Sequence, residues 1–366
     1  MTRPAVAHTG PGPMPGTDTR EAARIVMGEC HGLPFLPELA ERGPGSEQAG
    51  RTLAMLVDLP VDVSPRGWRL ADSRGRLARV AADLLDRDSD ALEEADEHTR
   101  DPEADPAPAE RLFQLRVMGP WSLAAGLELP GGLPVLTDRG ARRDLASSLA
   151  EGVASQAVRL AERLRAGARI ILDEPLIWRV AAGTVPAPSH FDPVPAVPAE
   201  QLVLALCRFA DMLRAAGVRQ VLLRPPTTAG PDAPPLYSAL AEPPRGETPL
   251  DGLVLEAEPL YTASSHDALD AAGALLGDGR LLQLEGAAGA GSQTGSGHAA
   301  GTPADAERAA SALLDLLDRM AAPRYDSLSQ LVLTPTVGQV TAGPTSAVRA
   351  LAAARLLAGI APRVAE

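Results

Sequence analysis

Lysine and asparagine are missing from all 366 residues, so each of the 34 basic side chains is an arginine. Without lysine there is no amine for a Schiff base, which excludes pyridoxal-phosphate enzymes and lysine-type aldolases. A P-loop is excluded with them, because its lysine must reach the phosphates, and no N-glycosylation site can exist. Cysteine is scarce as well. Cys30 and Cys207 alone can build neither a disulfide framework nor a Cys-rich zinc site. Aromatic residues make up only 3%, so a core has to be built mainly from Leu, Val and Ala, which suits helices on a parallel sheet. No run approaches the roughly 20 apolar residues that cross a bilayer. Residues 1–16 carry proline at positions 4, 11, 13 and 15 with no apolar stretch, unlike a signal peptide, so a cytoplasmic protein is expected. Acidic residues outnumber basic ones by 47 to 34, giving a net charge of -13, the wrong sign for a nucleic-acid partner.

What is present is a regular alternation. Strand-like runs fall at residues 5–8, 67–70, 112–118, 168–172, 218–223, 253–255, 281–284 and 331–333. Helical patterns cover residues 17–26, 51–59, 76–85, 91–98, 138–165, 200–216, 266–276, 304–320 and 344–357. Near-continuous apolar strands followed by helices predict a parallel sheet covered on both faces. About eight such units predict an α/β fold, a single (β/α)8 TIM barrel over residues 1–366 with long βα loops. A doubly wound open sheet is the alternative, but no Gly-rich dinucleotide fingerprint follows the first strand. Residues 32–47 read as a loop from their Pro and Gly content. Residues 100–110 read as an acidic Pro-rich linker, 183–198 as a Pro-rich loop, and 286–303 as a flexible Gly-, Ala- and Ser-rich loop.

Chemistry is expected at strand ends. Ile170-Ile171-Leu172-Asp173-Glu174-Pro175 puts two adjacent carboxylates where a buried strand opens onto the barrel mouth, a costly place unless a ligand, a metal or an arginine pairs with them. A helix cap or a salt bridge to an arginine such as Arg179 is the structural alternative. Glu256 and Glu285 also end predicted strands, so four carboxylates can converge on one mouth. The six histidines are scattered, with no i,i+4 metal-binding pair, and only His8 is expected near the mouth.

Four stretches, in order along nearly the whole chain, resemble the C-terminal catalytic barrel of cobalamin-independent methionine synthase and its free-standing relatives. Residues Thr9 to Thr17 look like the family's opening loop, and Gly119-Pro120-Trp121-Ser122-Leu123 is similar to its Gly-Pro helix start. Leu172-Asp173-Glu174-Pro175 matches its Asp-Glu-Pro strand end, and Leu333-Thr334-Pro335-Thr336-Val337-Gly338 resembles its last strand. The resemblance implies a (β/α)8 barrel and methyl transfer from methyltetrahydrofolate to the homocysteine thiol. It also implies a zinc ion held by one His, two Cys and one Glu, which lowers the thiol pKa. The pattern departs at the metal. The strand that should carry His and Cys reads Val221-Leu222-Leu223-Arg224-Pro225-Pro226, and Val337 replaces the last-strand Cys. Glu256 is the counterpart of the zinc-binding Glu. Pro13 stands at the opening-loop serine, and Gly126 where a pterin-stacking tryptophan is expected. Asp173 matches the aspartate that holds the amino group of homocysteine.

The expected function is therefore a methionine-synthase-like barrel that binds an amino-acid- or folate-like small molecule without zinc-dependent methyl transfer. Asp173, Glu174, Gly119, Pro120, Trp121, Glu256 and Arg224 are the candidate binding residues. No metal ligand is assigned, no cofactor is expected, and Arg224 is expected to pair with Glu256 in place of the metal. The alternative is an active methyltransferase passing a methyl group to a thiol, with a metal held through Cys30, His31 or Cys207. A third possibility is an interaction role for the acidic residues 83–110.

Overall fold

The computed structural model describes residues 5–100, 111–186, 193–227, 236–242, 244–262, 265–289 and 302–365. Most of residues 100–110, the middle of 183–198 and most of 286–303 therefore lie outside the described residues.

Nine strands form. In chain order they are β1 (Ala7–His8), β2 (Val61–Ser64), β3 (Gly67–Leu70), β4 (Leu112–Met118), β5 (Gly167–Asp173), β6 (Gln220–Arg224), β7 (Gly252–Glu256), β8 (Leu281–Glu285) and β9 (Leu331–Thr334). The pair β2 and β3 is a small antiparallel hairpin. The other seven make one parallel sheet in the order β1-β9-β8-β7-β6-β5-β4.

Residues 34–38 close the gap between β4 and β1. Leu36 N–H donates to the Gln114 carbonyl at 3.1 Å, and Gln114 N–H to the Pro34 carbonyl at 2.8 Å. On the other edge Glu38 N–H donates to Gly12 and Met14 N–H to Glu38, both at 2.9 Å. This segment takes the eighth staves' position of a (β/α)8 barrel. Its sequence, Pro34-Phe35-Leu36-Pro37-Glu38, reads as loop because Pro34 and Pro37 have no N–H to give. The ladder survives on the donors at 36 and 38, so a strand-like stretch sits where proline density signals a turn.

Helices cover the outside. The long ones are Arg76–Thr99, Arg139–Arg163, Ala199–Ala215, Pro303–Arg319 and Pro344–Val364. The two helical patterns in residues 76–98 are one helix of 24 residues, held at its middle by the fully buried Asp88, which accepts from Thr19, Arg42 and Arg51. Near its end the buried Asp96 binds Arg100 and Arg111, so the two residues flanking the acidic 101–110 stretch are tied to one carboxylate. No helix among the described residues is long and apolar enough to cross a membrane.

Strand residues alternate between two environments. Ala168, Ile170 and Leu172 face the helices in the main core, whereas Ile171 joins Leu222 and Val254 in a separate apolar cluster, with Leu281 packed against it. That cluster is an apolar patch on the inward face of β5, β6 and β7. Along β5 the inward positions read Arg169, Ile171 and Asp173, so polar residues lie at both ends of the strand, the mouth at its C-terminus and the floor at its N-terminus.

Candidate functional site

The inward positions at the strand C-termini carry charge. Arg116 on β4, Asp173 on β5, Arg224 on β6, Glu256 on β7 and Glu285 on β8 all project toward the mouth, and Glu38 joins them from the closing segment. Asp173 lies at the centre. Its Oδ2 accepts from Nε and Nη2 of Arg116, and its Oδ1 from Nη1 of Arg224 at 3.3 Å. Arg224 turns its other edge to Glu285 in a two-point pair, Nε at 2.9 Å and Nη2 at 2.6 Å. Glu256 is the outer member, 3.6 Å from Arg224 Nη2 with its side chain 49% exposed.

The pairing expected between Arg224 and Glu256 thus exists, but Glu285 is the closer partner. Register explains this. Glu285 and Glu256 are partners in the β7–β8 ladder, and Glu285 is the more deeply buried of the two. The guanidinium follows the carboxylate that has less water to lose it to. Burial alone would pull the Arg224 pKa down; the hydrogen bonds and charge of Glu285, with Asp173 and Glu256, instead raise it. Arg116 behaves likewise, burial being outweighed by Asp173 and Glu38.

The loop after β6 is pinned. Trp178 Nε1 and the Tyr237 hydroxyl both donate to the Pro226 carbonyl at 3.0 Å, and the two rings pack at 5.6 Å. Thr227 then accepts from Glu256 N–H at 2.7 Å, which ties the end of β7 to the end of β6. Arg224 and Glu256 are therefore placed by backbone anchors and do not depend on each other for position.

Glu38 was hidden within the predicted loop. Its side chain is buried, its Oε1 has no hydrogen-bond partner, and burial pushes its carboxyl pKa up against the pull of Arg116 and Arg51. Arg51 is itself committed to Asp88. Gly12 permits this approach: at its φ of +102°, a Cβ would stand 2.9 Å from Glu38 Oε1 and 3.2 Å from Arg116 Cδ. Arg116 also lacked a local signal, being one charge in an otherwise apolar strand; only its even register with Gln114 and Met118 marks it as inward.

Glu174 turns away from the mouth. Its two oxygens accept from Trp121 N–H at 2.9 Å and Ser122 N–H at 2.6 Å, capping the helix Pro120–Gly126. Gly119 allows it, since a Cβ there would lie 2.3 Å from Glu174 Oε1. Burial raises the Glu174 pKa to about 7, against the lowering effect of those hydrogen bonds. Trp121 donates its indole N–H to Leu202 and lies under the Arg142 guanidinium at 5.7 Å. Gly119, Pro120, Trp121 and Glu174 thus form one wall beside the mouth, and Arg179 takes no part in the strand-end pairing.

Thiol and imidazole donors lie elsewhere. Cys30 ends the helix Thr19–Glu29, fully buried, and Cys207 is buried in the helix Ala199–Ala215. His8 shares the register of outward-facing Leu333 and bonds the Glu29 carbonyl, away from the mouth. Among the described residues no group of three His, Cys, Asp or Glu side chains is arranged to hold a metal ion. A zinc held by one His, two Cys and one Glu does not fit these residues, because Arg224 occupies the space between the carboxylates.

Similar solved structures exist. A methyltransferase from Methanosarcina mazei is 14% identical, over 96% of this chain and 93% of its own, with a TM-score of 0.49. The vitamin-B12 independent methionine synthase assigned in Listeria monocytogenes is 14% identical over 100% of this chain and 98% of its own, at 0.47. A B12-independent methionine synthase from a Shewanella species, in complex with selenomethionine, is 13% identical over 69% of this chain and 63% of its own, at 0.41. No protein-family model and no curated protein matches the sequence.

Proposed function

We propose that the barrel mouth binds a small amino-bearing ligand, of the amino-acid or folate-like class, without zinc-dependent methyl transfer. One observation carries the reading: Arg224 sits among Asp173, Glu256 and Glu285, on the strand where the resemblance expects metal ligands. A fixed cation there supplies the countercharge that a metal would otherwise supply, and repels a second cation from the same space. Four carboxylates, Glu38, Asp173, Glu256 and Glu285, face two guanidiniums, Arg116 and Arg224, so acid remains in excess for a ligand ammonium. Glu256, the most open, and Glu38, with its unpartnered oxygen, are the acceptors with capacity to spare. Gly119, Pro120, Trp121 and Glu174 shape the adjoining wall. We place the protein in the cytoplasm, with neither a nucleic acid nor a membrane as partner.

Zinc per chain and ligand calorimetry test this together. The expected result is substoichiometric zinc, with saturable heat from an amino acid such as methionine and none from its N-acetyl form, whose ammonium is blocked. Close to one zinc per chain overturns the reading in favour of methyl transfer to a thiol. Binding that survives N-acetylation, or no binding across a panel of amino acids and folates, removes the ammonium site.

A further inference from the structure

The outer wall of the barrel carries a groove that takes no part in the mouth. It runs along the last helix, Pro344–Val364, beside the start of the helix Pro303–Arg319, and encloses about 890 Å³. Its floor is apolar: Ala352, Leu356 and Ile360 are half-buried, and Val364 is exposed at one end. Its rim is basic. Arg349, Arg355 and Arg363 line it against one carboxylate, Glu307, so the local charge is opposite in sign to the net -13 of the chain. Glu29 holds Arg355 at 3.2 Å. Arg349 and Arg363 are exposed and, among the described residues, have no ion-pair partner.

The sequence of that helix sets the shape of the groove. Arg349, Ala352, Leu356, Gly359 and Arg363 follow one another at spacings of three and four residues, the repeat of a coiled-coil seam, and so share one face. At about 1.5 Å per residue the two outer arginines stand about 21 Å apart along the axis. Ala352 and Gly359 are the small members and leave hollows on either side of Leu356. A Cβ on Gly359 would meet nothing within 4 Å, so the chain's own packing does not call for glycine there. Glycine inside a helix is destabilising relative to alanine, and the use it offers in return is close approach of a second backbone.

We propose that this groove docks an acidic amphipathic helix of a partner protein, laid along Pro344–Val364 with its apolar face on Leu356 and Ile360 and its carboxylates toward Arg349 and Arg363. Charge selects this occupant over a second copy of the chain. Antiparallel pairing of two such helices sets Arg349 against a second Arg363, and parallel pairing sets like on like, so self-association brings cations together. A nucleic acid or an anionic lipid surface needs a broad basic face and is repelled by the chain's net negative charge. A groove of this length gives a contact at the small end of protein interfaces, so binding is weak and reversible. The groove lies outside the barrel and does not depend on what the mouth binds.

The probe is a fluorescein-labelled helical peptide with Leu at the seam positions and Glu on both flanks, titrated with the full chain and followed by fluorescence anisotropy. The expected result is saturable binding that weakens about tenfold in Leu356→Asp, and by about as much in the double variant Arg349→Glu with Arg363→Glu. That double variant should instead prefer the same peptide with Lys in place of Glu. Both arginines are exposed and Leu356 is half-buried, so the fold does not rest on them. No saturable binding overturns the proposal, as does equal affinity for a peptide of the same composition whose order breaks the heptad. Sedimentation of the chain alone covers the other occupant: a dimer that Leu356→Asp turns into a monomer overturns the partner helix in favour of self-association.

Discussion

Arg224 and Arg169 are both inward-facing arginines of the same barrel, one at each end, and their surroundings are opposite. At the mouth, Arg224 meets Asp173, Glu256 and Glu285, and its charge is favoured. At the floor, Arg169 meets glutamine amides, and its charge is disfavoured. The lesson is that a buried arginine is neither stabilising nor destabilising by type; its partners set the sign. The largest expected effect follows from removing the well-partnered one. Arg224→Leu leaves Asp173 and Glu285 buried with a lost cation, and should cost about 3–5 kcal/mol in denaturant unfolding. Adding Glu285→Leu should restore a substantial part of that loss, because both members of the closest pair are then gone. An unchanged midpoint in Arg224→Leu would remove the contrast between the two ends.

Glu174 sharpens the comparison within the mouth itself, since it is the strand-end carboxylate satisfied by backbone N–H groups and not by arginine. Its folded pKa of about 7 stands above the ordinary 4.5. Between those values the folded chain holds more protons than the unfolded one, so this group's contribution to stability falls as pH rises from about 4.5 and levels off above about 7. Glu174→Gln removes that titration. The advantage of the parent over the variant should therefore shrink by as much as about 3 kcal/mol between pH 5 and pH 8. A constant or widening gap would show that the two N–H bonds hold the carboxylate ionised throughout. The same cap can be struck from the other side. Gly119→Ala would set a Cβ 2.3 Å from Glu174 Oε1, and should cost about 1–3 kcal/mol while lowering the pH dependence. Full stability in Gly119→Ala would mean that the wall beside the mouth can shift freely.

Much of this was legible from residues. Strands with continuous apolar runs, such as Ile170-Ile171-Leu172, were readable because both faces are covered, and their terminal Asp173, Glu256 and Glu285 could be placed at a mouth from position alone. The segment 34–38 was not readable, because two prolines carry a loop signal locally while hydrogen bonds from β4 and the Gly12–Met14 stretch impose extension. Glu38 was lost with it. Arg224 was visible as a departure from the family pattern, but its choice of Glu285 over Glu256 depends on relative burial across a ladder, which one strand's sequence does not contain. Nor did the Asp173-Glu174 pair reveal that neighbouring residues on an extended chain point opposite ways, one into the mouth and one into a helix cap.

The smallest expected effect lies at the floor, and it is the control for the first. Arg169→Met exchanges a weakly partnered buried cation for an apolar side chain of similar length. The gain from losing that charge is set against the Gln283 oxygen, which forfeits its donor at 2.7 Å. The two terms are each of order 1–3 kcal/mol and opposite in sign, so the net change should stay within about 1 kcal/mol. A loss as large as that of Arg224→Leu would mean that Arg169 has its countercharge within the chain, with Asp251 acting through the strands, and the two ends of the barrel would then be alike.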